Sequence, residues 1–294
     1  MSVTRLFCDV DDFCKWFMVE WEKTQIEDGT KKRRRSRGLS HSEIITIIIF
    51  YHQSGYKTFK WFYERHVCKR MRQEFPKLVS YNRFIELLPD VLIPLSCFMQ
   101  SRCKAGNGIG IAFIDSTPLS VCENIRIPRH KTFKDIAGRG KSSTGWFYGF
   151  KLHLLVNDCG EILSFRITRG NVDDRTPVPD MLKKFIGKVF GDRGYISKKL
   201  TELLKSDDVE LITTIKKTMK PKVLAAFDKL LLRKRSIIET INDQLKNIFD
   251  IEHSRHRSLT NYIINVLSGL AAYSYQDKKP SLDIKLENLY PLLS

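Results

Sequence analysis

Three carboxylates in this chain stand where their surroundings make them chemically useful. Asp115 follows the apolar run "IAFI", so it lies on or at the end of a buried strand. A lone carboxylate there is costly unless it is paired or bound to a cation. Asp192 follows "KVFG" and precedes "RGY", at a second strand's carboxyl end, with Gly191 and Gly194 letting backbone come close. In open sheets that end is where ligands collect. Taken singly, each is also what a turn-forming aspartate looks like. Glu239 lies in "RKRSIIETINDQLK" (233–246), among Arg233, Lys234, Arg235 and Lys246. At about 100° per residue, Arg235, Asn242 and Lys246 share its helical face. Ile237, Ile238, Ile241, Leu245, Ile248 and Phe249 form the apolar stripe opposite. A surface pair with Arg235 would account for Glu239 at a few tenths of a kcal/mol. It would not account for Lys246, further along the same face.

Brought to one cleft, three carboxylates make an oxygen-rich site suited to Mg²⁺. Two such ions, roughly 3.5–4 Å apart, would clamp the attacking and leaving oxygens of a phosphodiester. That chemistry needs no nucleophilic side chain, and neither a GxSxG word nor a convincing Cys/His pair is evident.

Composition agrees. The formal net charge of +17 over 294 residues calls for an acidic partner, with nucleic acid first. At 42% hydrophobic and 11% aromatic the chain is globular, large enough for one big domain or two modest ones. Seven cysteines with no CxxC pair read as reduced thiols, not as a zinc site. Asp9, Asp11 and Asp12 stand where a signal peptide would be apolar, and the run "IITIIIF" (44–50) is too short to span a bilayer. The expectation is a soluble, cytoplasmic, nucleoid-associated protein with no membrane partner.

These residues need elements to position them. Residues 1–105 read as an all-α unit resembling a helix-turn-helix module. It holds a basic run (31–37), a capping box from Ser40 to Glu43, and further helical stretches at 56–75 and 79–102. A purely structural helical domain fits those stretches equally well. Glycine then returns at 101–110, and residues 106–294 read as an α/β domain. Its expected strands are 110–116, 146–158, 159–170, 188–195 and 210–217. Its expected helices are 173–186, 197–206, most of 222–250, and an apolar closing helix at 258–276.

The words "IDST", "FGDRGY" and "RSIIETINDQLK" resemble the three catalytic segments of bacterial insertion-sequence DDE transposases. "KSSTGWFYGFKLHLLVND", "ITRGNVDDR" and "IEHSRHRS" narrow the resemblance to the insertion-sequence-982 family. It implies an RNase H-like mixed sheet flanked by helices. Asp115 would lie on the first strand, Asp192 after the fourth and Glu239 on a later helix, together holding two Mg²⁺ ions, with Mn²⁺ able to substitute. Arg235 and Lys246 would grip DNA-end phosphates, while the position of a tyrosine in related proteins is Leu232. The implied reaction is cleavage at terminal inverted repeats, then joining of the 3′ ends to target DNA by a homodimer or larger assembly. Two alternatives stay open: a nuclease of the same fold that does not join, and a catalytically silent DNA-binding descendant.

Other residues carry weaker signals. The basic loop 126–145 opens beside Asp115, with Lys131, Lys134, Arg139 and Lys141 as candidate DNA contacts. Asn171, Asp173 and Asp174 read first as caps of the following helix. Trp146 reads first as a core or edge aromatic rather than a base-stacking one. "HSRHR" (253–257) suggests phosphate contact or a cap more than zinc.

Overall fold

The computed structural model describes residues 2–28, 38–103, 108–143, 145–214, 225–252 and 256–282. Two compact units separate. One comprises Met1–Arg102, Leu245–Ile251 and His256–Asp277; the other comprises Cys103–Gln244, Glu252–Arg255 and Lys278–Ser294.

The first unit begins with α1 (Val3–Glu27) and α2 (His41–Gln53). The expected capping box opens α2: Glu43 N donates to Ser40 Oγ at 3.1 Å, and Ser40 N donates back to Glu43 Oε2 at 2.6 Å. Next come α3 (Phe59–Phe62), a π-helical turn (Tyr63–Val67) and α4 (Cys68–Arg70). Then α5 (Tyr81–Leu87) runs through a 3₁₀ turn (Leu88–Val91) into α6 (Leu92–Arg102). The stretch Tyr81–Arg102 has the length and apolarity of a bilayer-crossing helix. Phe84, Leu87, Val91, Leu95, Phe98 and Met99 bury its apolar surface within the protein. The basic run 31–37 lies outside the described residues.

Among the described residues the second unit is built on six strands: β1 (Gly108–Cys122), β2 (Gly138–Ser142), β3 (Gly145–Asn157), β4 (Ile162–Arg169), β5 (Phe185–Gly191) and β6 (Val209–Thr213). Their order is β2-β3-β1-β5-β6, with β4 also on β3. One edge of β3 carries β2 at Gly145–Gly149 and β4 from Phe150 onward. The β1–β3 pair is antiparallel; β1–β5 and β5–β6 are parallel. The sheet is therefore mixed, as expected. β2 is the difference: sequence reading left it in a basic loop, because "GRGKS" has no apolar alternation. It makes β5 the fifth strand along the chain, where the fourth was expected.

Alternation along β1 assigns the faces. Ala112 and Ile114 join a core with Val189 and with Val178, Met181, Leu200 and Leu204 of α7 (Val178–Leu182) and α8 (Lys198–Lys205). Phe113 and Phe190 meet on the other face, ring centroids 5.7 Å apart. That face receives α9 (Ala226–Lys234) and α10 (Ser236–Asn247). Lys188 Nζ on β5 donates at 2.8 Å to Asp228 Oδ1, which is 6% exposed on α9, and so pins that helix. Along α10, Ile237, Ile238, Ile241 and Leu245 are buried as the stripe requires; Ile248, counted in it, is 58% exposed. The helix expected over 173–186 shrinks to α7, since Asp173 and Arg175 close a turn ahead of Pro177. The closing helix, α11 (Leu259–Ser274), groups with the first unit instead of the sheet. There His52 Nε2 of α2 meets Ser268 Oγ at 2.9 Å.

Two glycines set the level of the β1–β5 pair. Gly110 and Gly187 are register partners with φ of +133° and +130°. A Cβ on Gly187 would come 2.3 Å from Gly110 O. Gly187→Ala is expected to destabilise the sheet unit by about 1–3 kcal/mol, read as a lower urea midpoint. An unchanged midpoint would mean that the strands tolerate separation there.

Candidate active site

The β1–β5 pairing ends at Phe113 and Phe190. Two residues further along each strand's path come Asp115 and Asp192, so the register sets both at one level on neighbours about 4.8 Å apart. Beyond Phe113 the chain of β5 turns away, and β1 continues with β3 alone. The gap this leaves is a cleft of about 470 Å³ lined by Asp115, Ser116, Lys141, Lys151, Asp174, Asp192, Tyr195, Arg235 and Glu239, among others.

Each carboxylate is held differently. Asp192 caps the 3₁₀ turn Arg193–Tyr195, its Oδ1 accepting from Gly194 N at 2.7 Å. A Cβ at position 194 would stand only 2.9 Å from that oxygen, so glycine is what permits the approach. Glu239 sits in the first turn of α10 with its side chain 56% exposed. Arg235, between α9 and α10, donates from Nη2 to Glu239 Oε1 at 2.6 Å, and its Nη1 lies 3.9 Å from Asp115 Oδ1. Asn242, one turn beyond Glu239 and 7% exposed, donates from Nδ2 to Asp115 Oδ2 at 3.1 Å. Sequence reading put Asn242 on the right face without giving it a task; a buried amide opposite a strand's aspartate is visible only once α10 is docked.

Burial pushes the Asp115 carboxyl up to about 7. The Arg235 guanidinium and the Ser116 N–H oppose that rise, while the charges of Asp192 and Glu239 add to it. The ordering is physical: desolvation outweighs one guanidinium at 3.9 Å.

The donor set is made of carboxylate oxygens, the ligands that hard divalent cations take. Oδ2 of Asp192 and Oε2 of Glu239 have no hydrogen-bond partner among the described residues. A cation beside Asp115 would also favour the ionised carboxylate that burial disfavours. The residues therefore fit a divalent metal chemically. Among the described residues, however, no three His, Cys, Asp or Glu are already drawn together as a metal-holding group. Arg235 and the Gly194 N–H hold two of the carboxylates in separate ion-pair and cap contacts.

The remaining candidates divide. Lys141, on β2, lines the cleft and also an adjoining groove of about 380 Å³; Arg139, on the same strand, lines the groove. The two cations flank Trp146, at 5.3 Å for Arg139 and 5.8 Å for Lys141 from its ring centroid. Trp146 is 54% exposed, an edge aromatic and not a core one. Lys131 and Lys134 are exposed on the preceding loop and line neither cavity. Lys246 is half-buried in the last turn of α10, in the stretch Leu245–Ile251 that groups with the helical unit. Leu232 is half-buried on α9 and outside both linings. Asp173 does not cap α7, whose N-cap is Pro177 without a side-chain bond; it closes a turn ahead of the helix, accepting from Arg175 N at 2.9 Å. Asp174 does not cap α7 either: it pairs with Lys151 at 2.9 Å and lines both cavities. Of "HSRHR", residues 253–255 lie outside the described residues.

Residues 105–259, more than half of the chain, match the family described as Transposase DDE domain. The chain belongs to that family. No curated protein matches it. A solved structure described as "Mos1 transposase paired-end complex with left transposon end" aligns over 87% of each chain, at 10% identity and a TM-score of 0.21, too distant to carry an argument. The DDE-domain match contains every residue of the cleft, from Asp115 to Glu239.

The buried aspartate gives this DDE domain a measurable pH signature. The Asp115 carboxyl titrates near 7 in the fold against 3.8 when free. Its stabilising contribution is complete below pH 3.8 and is lost as pH rises to about 7. Asp115→Asn should therefore raise the melting temperature at pH 8 without divalent cations, and the gain should shrink towards pH 4. A variant no more stable than the wild type at pH 8 would show that Asp115 bears no burial penalty.

Proposed function

We propose that this protein is a DNA transposase of the insertion-sequence-982 type, cutting at the terminal inverted repeats of its element and joining the freed 3′ ends to target DNA. One observation carries the reading: Asp115, Asp192, Glu239 and the cations Arg235 and Lys141 line a single cleft inside the DDE-domain match. On this reading the sheet is RNase H-like, with β2 as a local addition.

Asp115, Asp192 and Glu239 would hold Mg²⁺ or Mn²⁺, two ions in the full site. The metal would supply an activated water and charge stabilisation at the leaving oxygen. The protein's own residues do the positioning. Asn242 fixes the Asp115 carboxyl by holding Oδ2. The Gly194 N–H holds Asp192 at the mouth of the 3₁₀ turn. Arg235 neutralises the pair Asp115 and Glu239 until a phosphate arrives, and then has a second anion to bind. Lys141 supplies positive charge from the opposite wall. The helical unit, with Lys57, Lys60, Arg65 and Lys69 exposed or half-exposed around α3 and α4, would add sequence-independent grip on the duplex. Joining two ends requires two active sites, hence a homodimer or larger assembly on DNA.

Purified protein with Mg²⁺ should nick DNA bearing the inverted repeats that flank its gene. Asp115→Asn should abolish nicking and retain binding. Undiminished cleavage by that variant would remove the metal-site assignment. Transfer of a cleaved 3′ end to a second duplex separates transposase from simple nuclease. Arg235→Ala is expected to lower the slope of log binding constant against log salt by about 0.9; an unchanged slope would leave Arg235 a structural partner of Glu239 only.

A further inference from the structure

Lys151 is the cation of the cleft that the reaction scheme leaves without work. It lies midway along β3 with its side chain only 14% exposed. Its Nζ donates to Val172 O at 3.0 Å and to Asp174 Oδ1 at 2.9 Å. An ammonium has three N–H donors, so among the described residues one remains without an acceptor. Lys151 and Asp174, with Lys141, line both the carboxylate cleft and the adjoining groove. These three residues mark the threshold between the two cavities. The groove is lined by Arg139, Lys141 and Trp146 together with the loop Gly170–Asp174.

Anchoring that loop does not require a buried ammonium. Asp173 already binds Arg175 through both backbone and side chain, and Arg175 Nη1 reaches Ile196 O at 3.4 Å, tying the loop to the turn that carries Asp192. The Asp174 side chain of this pair is 32% exposed, and ion pairs open to solvent contribute little to stability, so a stability role alone explains Lys151 poorly. A polynucleotide cut in the cleft must also leave it, and the nucleotides beside the scissile bond need an open, cationic path. The groove is such a path.

We infer that the DNA strand leaving the carboxylate cleft passes into the Arg139–Trp146 groove, and that Lys151 seats the phosphate at the threshold, with Lys141 on the facing wall. Asp174 is the resident counter-ion that fixes the ammonium in place before DNA arrives. The inference rests on the transposase reading and adds a strand path and a phosphate-binding residue to it.

The test uses the full chain and a duplex carrying the flanking inverted repeats. Lys151→Gln with Asp174→Asn replaces the ion pair by a neutral, hydrogen-bonding pair; circular dichroism and melting confirm folding. Binding should weaken about tenfold at low salt, and the salt slope should fall by about 0.9. Single methylphosphonates, which remove one phosphate charge at a time, should locate the contact. At one position next to the cut, neutralising the phosphate should cost the wild type affinity and cost the double variant nothing. Asp174→Asn alone, which keeps Lys151, should bind the same duplex more tightly. A folded double variant with an unchanged slope, methylphosphonate losses that are additive at every position, or an Asp174→Asn variant that binds no more tightly would each overturn the inference. Cleavage by the double variant at the wild-type rate sinks the strand path alone; failure of the wild type to bind or cut these ends sinks the transposase reading with it.

Discussion

The pairing of two parallel strands must stop at one level if Asp115 and Asp192 are to face the same cavity, and the close approach of Gly110 to Gly187 helps set that level. Everything else at the cleft follows from the pairing. β1 outlasts β5, so at Asp115 the backbone is paired with β3 on one side and has no β5 partner on the other. The chain leaving β5 folds at once into the 3₁₀ turn that Asp192 caps. A slip of one residue would send Asp115 to the opposite face of the sheet, because side chains alternate with a period of two. The third carboxylate enters on a helix whose apolar stripe is buried and whose partner helix is pinned to β5 by Lys188 and Asp228.

The second constraint is electrostatic. Asp115 is desolvated, and its carboxyl rises to about 7 although a guanidinium lies within 4 Å. Such a site is poorly stable by itself and well suited to receive positive charge. The surrounding cations differ in kind. Arg235 and Lys141 sit at the cleft; Lys131 and Lys134 are solvated on a loop, as most of a +17 surface must be. Formal charge thus names a class of partner, while burial and pairing decide which cations can act at the site.

Much of this was legible in the sequence for identifiable reasons. Asp115 and Asp192 follow the apolar words "IAFI" and "KVFG", although β1 runs on past Asp115 to Cys122 and does not end there. The α10 stripe could be read from its period, and the α2 cap from Ser40 and Glu43. β2 could not be read, because three of its features, Gly138, Gly140 and Arg139, carry no alternating apolar pattern. Its existence depends on pairing with β3. The closing helix was misgrouped because its apolarity says that it is buried but not against what. Asp174 was read as a cap because its local word "NVDDR" is turn-forming, and only its meeting with Lys151, on a different strand, reveals the ion pair.

Those differences share a cause that bears on the site itself. Local sequence specifies an element and the side chains that must be buried; it does not specify which distant polar group will answer a buried charge. Asn242 against Asp115 and Lys151 against Asp174 are both such answers, made between elements far apart in the chain. In each the buried charge has one side fixed by the fold and another turned to the cleft. The protein has therefore oriented these groups in advance of a ligand, and an environment already arranged need not be reorganised when charge develops beside it.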